Sequence, residues 1–404
     1  MTAANGSSAY EFDLPPELIA QDPPEERGDS RLLLVDPAAG VGGEVVFRQL
    51  PGLLRSGDLL VLNESRVMPA RLATVRPDTG GSVEILLVRP VAGKDTWLAL
   101  ARPQRRLRPG VRLNVVTSPA ESPGAPPPYL EIVAKRDAGY VEVSAPEGPA
   151  ALAEAWGRMP LPPYIRRPAG SATGRRDQAD RERYQTVYAA GDGTGAGSVA
   201  APTAGLHFSQ RTLAGLEDAG IAVARVALHV GPGTFRPPSE EQLARGRLHR
   251  EYFRLPEAVT VAAAATRERG GRVIAVGTTS LRVLETAARL GLDAPGPDHR
   301  DFGATAADPE PVFCGYAAKG TDGWEVCGET RLFLRPPERV TAVDGLLTNF
   351  HLPGSSLLML VATLTGQSGW RPVYDHAVAN RMRFYSYGDC MLILPGLRGP
   401  AESR

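Results

Sequence analysis

The sequence predicts an α/β protein: a large α/β domain that carries an inserted, small antiparallel β-barrel domain. From about Ala73 to Trp156, short strand-like runs follow one another with turn residues between them and no long helical period, which is typical of a small barrel or sandwich. From about Gly157 onward, amphipathic helices alternate with apolar strands, as in α/β proteins. We therefore predict one discontinuous α/β domain, residues 1–72 and 157–404, and a barrel domain at 73–156.

Periodicity and turn residues place the individual elements in chain order. Before the insert we expect a short helix from about Pro16 to Gln21 and strands at Arg31–Asp36 and Asp58–Asn63. The strands expected in the insert are Ser82–Arg89, Trp97–Arg102, Val111–Val116, Tyr129–Lys135 and Tyr140–Ser144. After it we expect strands at Ile221–Val230, Arg272–Val276 and Ala342–Thr348, and helices at Gln210–Ala219, Pro256–Gly270, Ser280–Leu290, Ser355–Thr365 and Pro372–Arg381.

The composition is that of a globular protein without an overall charge bias. The chain has 404 residues, with 45 basic and 45 acidic side chains. This balance argues against a dedicated nonspecific nucleic-acid binder, but it is compatible with local binding of one RNA. Its 3 cysteines are too few and too scattered for a zinc site or a disulfide scaffold. The N-terminus lacks a targeting pattern, and the apolar run Leu352–Leu364 is short and interrupted. We expect a cytoplasmic monomer with no membrane contact.

A glycine-bearing turn at Ser198–Phe208 (SVAAPTAGLHF) ends on one of the chain's 6 histidines. Gly205 allows backbone to approach a ligand or another backbone closely, and His207 then projects from a constrained turn. His207 is either a catalytic group or a hydrogen-bonded core histidine.

The segment Gly277–Arg282 (GTTSLR) follows a strand and opens a helix. We expect its Thr and Ser side chains to cap the helix, with free amides facing outward. A carboxylate, phosphate or sugar hydroxyl could bind there, with Arg282 on the first turn. An ordinary helix cap is the alternative.

Two further segments place polar side chains where strands end. His229 precedes the turn Gly231–Phe235, and strand ends are where ligands gather in α/β proteins, although a hairpin or bulge would give the same pattern. The segment 344–353 (DGLLTNFHLP) brings Asp344, Asn349 and His351 together on a strand and its exit turn. Alternation would put Asn349 and His351 on one face. Asp344 and His351 are candidate acid–base partners, or buried polar groups.

Arginines provide candidate anion contacts. Arg66 follows a buried strand and either binds an anion or pairs with an acid such as Glu64. The stretches Arg102–Arg112 and Arg166–Arg183 either contact RNA phosphates or form solvated surface. No dinucleotide-binding, P-loop or zincin motif occurs in the chain.

Together these motifs resemble the S-adenosylmethionine:tRNA ribosyltransferase-isomerase family of queuosine biosynthesis. The matching stretches are Phe12–Pro15, Ser30–Asp36, Gly57–Leu72, Leu161–Arg166, Glu182–Tyr188, Ala200–Phe208, Leu228–Pro237, Ala275–Glu285, Asp344–Pro353 and Arg383–Met391. The resemblance implies an α/β domain with an inserted barrel, in agreement with the pattern above. It also implies S-adenosylmethionine as a consumed co-substrate, with no metal and no tightly bound cofactor.

In that family the ribosyl part of S-adenosylmethionine is transferred and rearranged onto 7-aminomethyl-7-deazaguanine in tRNA, giving epoxyqueuosine, adenine and methionine. On this resemblance we expect His207 as the base, with His351 and Asp344 next, because imidazole has a suitable pKa. The residues expected to bind S-adenosylmethionine are Thr203, Gly205, His229, Thr278, Thr279, Ser280, Arg282 and Asn349. The residues expected to bind the second substrate are Arg66, Arg331 and Arg335.

The chain departs from the family pattern in two runs and at Arg331, where the family commonly has an acid or an amide. The family's His-x-Met-His-x-Glu run appears as Gly246–Glu251 (GRLHRE), without the first histidine, and its Phe-Ile-Tyr-Pro-Gly-Tyr run appears as Phe333–Glu338 (FLRPPE). Both aromatic residues that could stack on a flipped base are absent from the second run. The alternatives are therefore a paralogue that binds S-adenosylmethionine and acts on a small molecule by transfer or elimination, as a lyase, or a non-catalytic binding protein.

Overall fold

The computed structural model describes residues 7–91, 93–116, 126–167, 175–190, 197–235, 237–292, 300–301, 313–320 and 323–397. It separates into two compact units. The large unit comprises Met1–Glu64, Thr186–Ala189 and Pro202–Arg404, and the small unit comprises Ser65–Gln185 and Ala190–Ala201. The predicted insert, 73–156, lies inside the small unit, which extends beyond it in both directions. Residues 168–174 of the second arginine-rich stretch are outside the described residues.

The described residues form strands and helices that we number in chain order. The strands are β1 Arg31–Asp36, β2 Gly40–Val46, β3 Leu59–Asn63, β4 Arg71–Val75, β5 Ser82–Pro90, β6 Trp97–Arg102, β7 Arg112–Val115, β8 Tyr129–Lys135, β9 Tyr140–Ser144, β10 Ala222–Leu228, β11 Arg247–Pro256, β12 Val273–Val276, β13 Arg300–Asp301, β14 Phe313–Gly320, β15 Gly323–Leu332, β16 Gly345–Asn349 and β17 Cys390–Ile393. The α-helices are α1 Pro149–Trp156, α2 Arg175–Arg183, α3 Gln210–Asp218, α4 Glu240–Arg245, α5 Glu257–Glu268, α6 Gly277–Arg289, α7 Ser356–Thr365 and α8 Trp370–Ala379.

The large unit is built on an 11-stranded mixed sheet in the order β13-β14-β15-β11-β10-β3-β12-β16-β17-β1-β2. Its centre, β10-β3-β12-β16, is parallel. Strands β3, β12 and β16 are buried along their whole length, as expected for parallel strands covered on both faces. The strand that follows β3 in this parallel group, β10, lies on one side of β3. The strand that follows β12, β16, lies on the opposite side of β12. Ligands of open α/β sheets bind outside the carboxyl ends of the strands at such a switch point, here between β3 and β12.

The small unit contains a closed antiparallel barrel of 6 strands in the order β4-β5-β6-β9-β8-β7. Alternate residues point inward, so that Leu113, Leu130 and Val141 are fully buried in its core. The predicted fold class, a large α/β region with a small antiparallel barrel, is confirmed.

Strands β1, β6, β8 and β9 have the predicted bounds. The sequence pattern missed several elements, including β2, β4, β17, α2 and α4. Two further omissions have a clear physical reason. Helix α1 lies at the end of the predicted barrel region, 73–156, where no helix was expected. The residues Pro149–Ala153 differ little in polarity, so they give no clear amphipathic pattern from which a helix could be predicted. The antiparallel edge β11-β15-β14 was also not predicted, although β11 alternates between buried and more exposed residues along most of its length. Among the described residues, no helix is both long and apolar enough to cross a membrane.

Candidate active site at the carboxyl edge of the central sheet

The carboxyl ends of the parallel strands carry polar side chains. Asn63 ends β3, His229 follows β10, Thr278 follows β12, and Asn349 ends β16. Asn63 bridges β3 and β10, since its amide donates to the Leu228 carbonyl (3.0 Å) and accepts from the Leu228 backbone N–H (3.1 Å). This edge therefore holds the switch point between β3 and β12 and most of the residues predicted to bind S-adenosylmethionine.

His207 lies at this edge in a buried hydrogen-bonded cluster. It ends the short 3-10 helix Thr203–His207 and is 4% exposed. Its Nδ1 is 2.8 Å from Ser30 Oγ, and its Nε2 is 3.1 Å from Asn349 Nδ2. Asn349 Nδ2 also donates to the Tyr385 carbonyl (2.9 Å), which can only accept, and this fixes the orientation of the amide. His207 Nε2 is then an acceptor, and its proton lies on Nδ1.

Burial sets the charge of this histidine. Desolvation lowers the pKa of His207 to about 4, and Arg27 and Arg383 add positive charge nearby that lowers it further. The imidazole is therefore neutral at pH 7, with both nitrogens engaged. This geometry suits a residue that holds Asn349 and the turn in place.

Gly205 leaves room for a buried phenol. A Cβ at this position would lie 2.1 Å from the Tyr188 hydroxyl and 2.8 Å from Thr186 Cγ2. Burial raises the pKa of Tyr188, so the hydroxyl stays protonated. Within the described residues, no partner is found for the buried hydroxyl oxygens of Tyr188 and Thr186. Both can donate to a ligand that reaches them.

Helix α6 begins at Gly277, next to Ala204 of the 3-10 helix. Its N-cap is Val276, which makes no side-chain cap bond, so the prediction that Thr and Ser side chains cap this helix is wrong. The helix starts three residues earlier than predicted, which moves these side chains from the cap into the first turn. Among the described residues, the buried oxygens Thr279 Oγ1 and Ser280 Oγ have no hydrogen-bond partner. They remain available to a ligand at the helix start.

Arg282, expected to hold an anion, is already paired. It is 5% exposed, its Nη1 forms a short ion pair with Glu251 Oε2, and its Nε donates to the Leu332 carbonyl (3.2 Å). Its buried Nη2 has no partner within the described residues. Arg282 thus presents the NH2 group of Nη2 to a ligand rather than a free positive charge.

Glu251 and His249 form a second cluster that the sequence analysis did not assign to the site. Glu251 Oε1 accepts hydrogen bonds from His249 Nε2 (3.1 Å), Thr234 Oγ1 (3.0 Å) and the Gly231 backbone N–H (3.1 Å). The signal was present, since His249 and Glu251 are two residues apart and so share a face of β11. In the sequence they appear only as the retained part of the altered family run Gly246–Glu251.

The structure separates Asp344 from the other predicted catalytic residues. Asp344 precedes β16, is exposed, and accepts from the Val273 backbone N–H at 2.7 Å. It is at the amino end of a strand whose carboxyl end is Asn349, roughly 16 Å away. Asp344 therefore joins the starts of β12 and β16 and lies at the opposite edge from His207.

His351 lies beyond the carboxyl end of β16, and its Nε2 is bonded to Thr348 Oγ1 at 2.9 Å. The expected pairing of Asn349 and His351 on one face is wrong, because the strand ends at Asn349 and the alternation stops there. Burial lowers the pKa of His351 to about 3.

The remaining predicted residues are in diverse surroundings. Thr203 is half-buried at the start of the 3-10 helix, and the half-buried His229 has its ring 5.4 Å from that of Tyr252. Arg331 Nε donates to the Leu248 carbonyl (3.1 Å), and the Arg335 guanidinium lies 5.1 Å from the centre of the Phe333 ring. Arg66, in the small unit, is 3.5 Å from the Glu154 carboxylate. In the described part of the chain, no three His, Cys, Asp or Glu side chains are grouped so as to hold a metal ion.

A parallel sheet with buried, hydrogen-bonding side chains at its carboxyl edge is typical of α/β enzymes that bind a small substrate there. A family model described as "Queuosine biosynthesis protein" matches residues 7–393, and the chain belongs to this family.

Similar proteins cover almost the entire chain. A protein of Acidithiobacillus ferrooxidans named S-adenosylmethionine:tRNA ribosyltransferase-isomerase is 44% identical over 388 residues, 96% of this chain and 97% of that protein. A protein of Gloeobacter violaceus with the same name is 44% identical over 392 residues, 96% of each chain. A crystal structure of S-adenosylmethionine tRNA ribosyltransferase from Thermotoga maritima matches with a TM-score of 0.48 and 30% identity, over 96% of this chain and 100% of that one.

Proposed function

We propose that this protein transfers and isomerises the ribosyl part of S-adenosylmethionine onto 7-aminomethyl-7-deazaguanine in tRNA, forming epoxyqueuosine and releasing adenine and methionine. The observation that carries the proposal is the match along the whole chain to relatives named for this reaction, at 44% identity over 96% of the sequence. The site geometry supports it, because the polar groups at the carboxyl edge suit a ligand rich in hydroxyl and charged groups.

In this proposal S-adenosylmethionine lies outside the carboxyl ends of β3 and β12. The hydroxyls of Thr279 and Ser280 bind its ribose or its carboxylate, and the free amides of the first turn of α6 support an anion there. Arg282 contributes the N–H of Nη2, since Glu251 already balances its charge. Thr203, Thr278, Asn349 and His229 complete the contacts on this edge, and Gly205 lets the turn pack against the Tyr188 hydroxyl.

The proposed chemistry begins at the sulfonium of S-adenosylmethionine. Its positive charge acidifies the hydrogens on C5′, so a positioned base can form an ylide from which adenine is expelled. The aminomethyl group then adds, and epoxide closure releases methionine. His207 and His351 are neutral and buried, and we assign them the positioning of Asn349 and of the β16 exit turn.

We propose that Arg66, Arg331 and Arg335 contact the tRNA. Guanidinium groups suit phosphate oxygens, and the Arg66 side chain is 56% exposed. Arg331 and Arg335 flank Leu332, whose carbonyl is bonded to Arg282, so this segment lies beside the first turns of α6. We further propose that the protein works in the cytoplasm as a monomer, which light scattering after size-exclusion chromatography would test.

The test is to incubate the protein with S-adenosylmethionine and tRNA that carries the 7-aminomethyl base. The proposal predicts adenine release together with a mass gain on the tRNA. Two matched controls define the requirement: the same tRNA with guanine at that position, and S-adenosylhomocysteine, which lacks the sulfonium. Neither should yield product. Binding of S-adenosylmethionine with no reaction on the modified tRNA would contradict the proposal.

A further inference from the structure

His249 and Glu251 form a histidine–carboxylate pair beside the first turns of α6. Both belong to β11, and the pair is anchored by three groups from two other parts of the large unit. Thr234 and the Gly231 backbone come from the turn after β10, and Arg282 comes from α6. A carboxylate held on all sides in this way keeps a fixed position relative to the start of α6.

Glu251 is held as a carboxylate. Its side chain is 1% exposed, and burial alone would raise its pKa. The charge of Arg282, the nearby His249 and their hydrogen bonds outweigh burial and keep the pKa of Glu251 below its usual range. An ionised carboxylate has no proton to donate, so His249 Nε2 must be the donor in the 3.1 Å bond between them.

The other ring nitrogen of His249 therefore carries the lone pair in the neutral imidazole. Nδ1 has no hydrogen-bond partner among the described residues, and the His249 side chain is 27% exposed. A Cβ at position 233 would lie 2.7 Å from Nδ1 and 2.9 Å from Cγ, so Gly233 packs closely against the His249 ring, and a larger residue there would displace it. By contrast, both nitrogens of His207 are occupied and its ring is buried.

We propose that His249 is the general base that removes the C5′ proton of S-adenosylmethionine, an assignment that rests on the proposed function. In this step the C5′–H bond breaks, its electron pair stays on C5′ beside the sulfonium, and the proton moves to Nδ1. Glu251 orients the ring through Nε2–H and balances the imidazolium that forms. Arg282 is a positioning residue, because it acts on the reaction only through Glu251 and through Nη2.

The experiment measures single-turnover adenine release from S-adenosylmethionine in the presence of the modified tRNA. It compares the unaltered protein with His249→Ala, His249→Gln and His207→Asn. His249→Gln is the matched variant, since its side-chain N–H can still reach Glu251 but has no basic nitrogen. Dissociation constants for S-adenosylmethionine, from calorimetry on each variant, separate binding from chemistry. A second readout follows the rate of His249→Ala with added imidazole.

General base catalysis contributes about 100- to 10,000-fold, so both His249 variants should lose at least about 100-fold in rate. Their affinity for S-adenosylmethionine should change less than about threefold, and imidazole should restore part of the His249→Ala rate. His207→Asn should lose less than about tenfold. The assignment would be overturned if His249→Gln released adenine at a rate within about threefold of the unaltered protein. It would also be overturned if weaker binding of S-adenosylmethionine accounted for the entire loss of rate. If the unaltered protein itself released no adenine, both the proposed function and the assignment of His249 as the base would be overturned.

Discussion

Replacing Arg282 by Met tests whether the buried ion pair holds the site together. The substitution leaves the Glu251 carboxylate, 1% exposed, without its guanidinium partner. Removing one member of a buried pair costs about 3–5 kcal/mol, because the other charge stays desolvated. For a unit of this size that cost lowers the melting temperature by roughly 5–9 °C. The matched control is Arg245→Met: the Arg245–Glu241 pair is 58% and 70% exposed, and losing it should cost about 0–1 kcal/mol.

The assay is thermal unfolding followed by circular dichroism at pH 7, with a second variant to isolate the charge. Arg282→Met combined with Glu251→Gln removes the buried charge but keeps an oxygen for Gly231 and Thr234. This double variant should be at least about 1 kcal/mol more stable than Arg282→Met alone. The reasoning would be refuted if Arg282→Met unfolded at the same temperature as Arg245→Met, or if the double variant gained nothing.

The pair also predicts a pH dependence. Because the folded-state pKa of Glu251 is depressed, its stabilisation is present above the unfolded-state pKa of about 4.3 and is lost as the pH falls below it. The gap in stability between the unaltered protein and Arg282→Met should therefore narrow on acidification.

Three further outcomes are expected. Gly205→Ala should destabilise the large unit by about 1–3 kcal/mol, since the new Cβ would lie 2.1 Å from the Tyr188 hydroxyl; adding Tyr188→Phe should recover part of the loss in urea unfolding. Gly233→Ala should slow adenine release more than it weakens S-adenosylmethionine binding, because its Cβ would displace the His249 ring; equal losses in both would contradict this. Burial lowers the pKa of His207 to about 4, so stability should fall as the pH drops from about 6.5 to about 4, and His207→Asn should flatten that part of a pH titration of unfolding.

The fold class followed from the sequence because local patterns carry it. Tyr129–Lys135 alternates between apolar and polar residues, and Arg31–Asp36 is a short continuous apolar run; both patterns are local, and both strands have the predicted bounds. The hairpin of β14 and β15 depends on pairing with β11, which is distant in sequence, and its formation is decided by long-range contacts rather than by local preference.

The site was predictable only in part, for a related reason. The sequence indicates which segments end at the carboxyl edge, so it predicted His207, Asn349 and the first turn of α6 as residues of the candidate site. It does not show which polar groups satisfy one another. The ion pair of Arg282 with Glu251 joins α6 to β11, and Asp344 is at the opposite end of β16 from Asn349; both facts require the three-dimensional arrangement.

The measurement that tests the central claim most directly is the stoichiometry of a single turnover. Quenched samples of the protein, S-adenosylmethionine and the modified tRNA are analysed for adenine, for methionine and for epoxyqueuosine in the digested tRNA. The proposed ribosyl transfer predicts that all three appear in equal amounts and only when the modified tRNA is present. Release of adenine or methionine without tRNA, or a tRNA that gains no ribosyl-derived group, would contradict it.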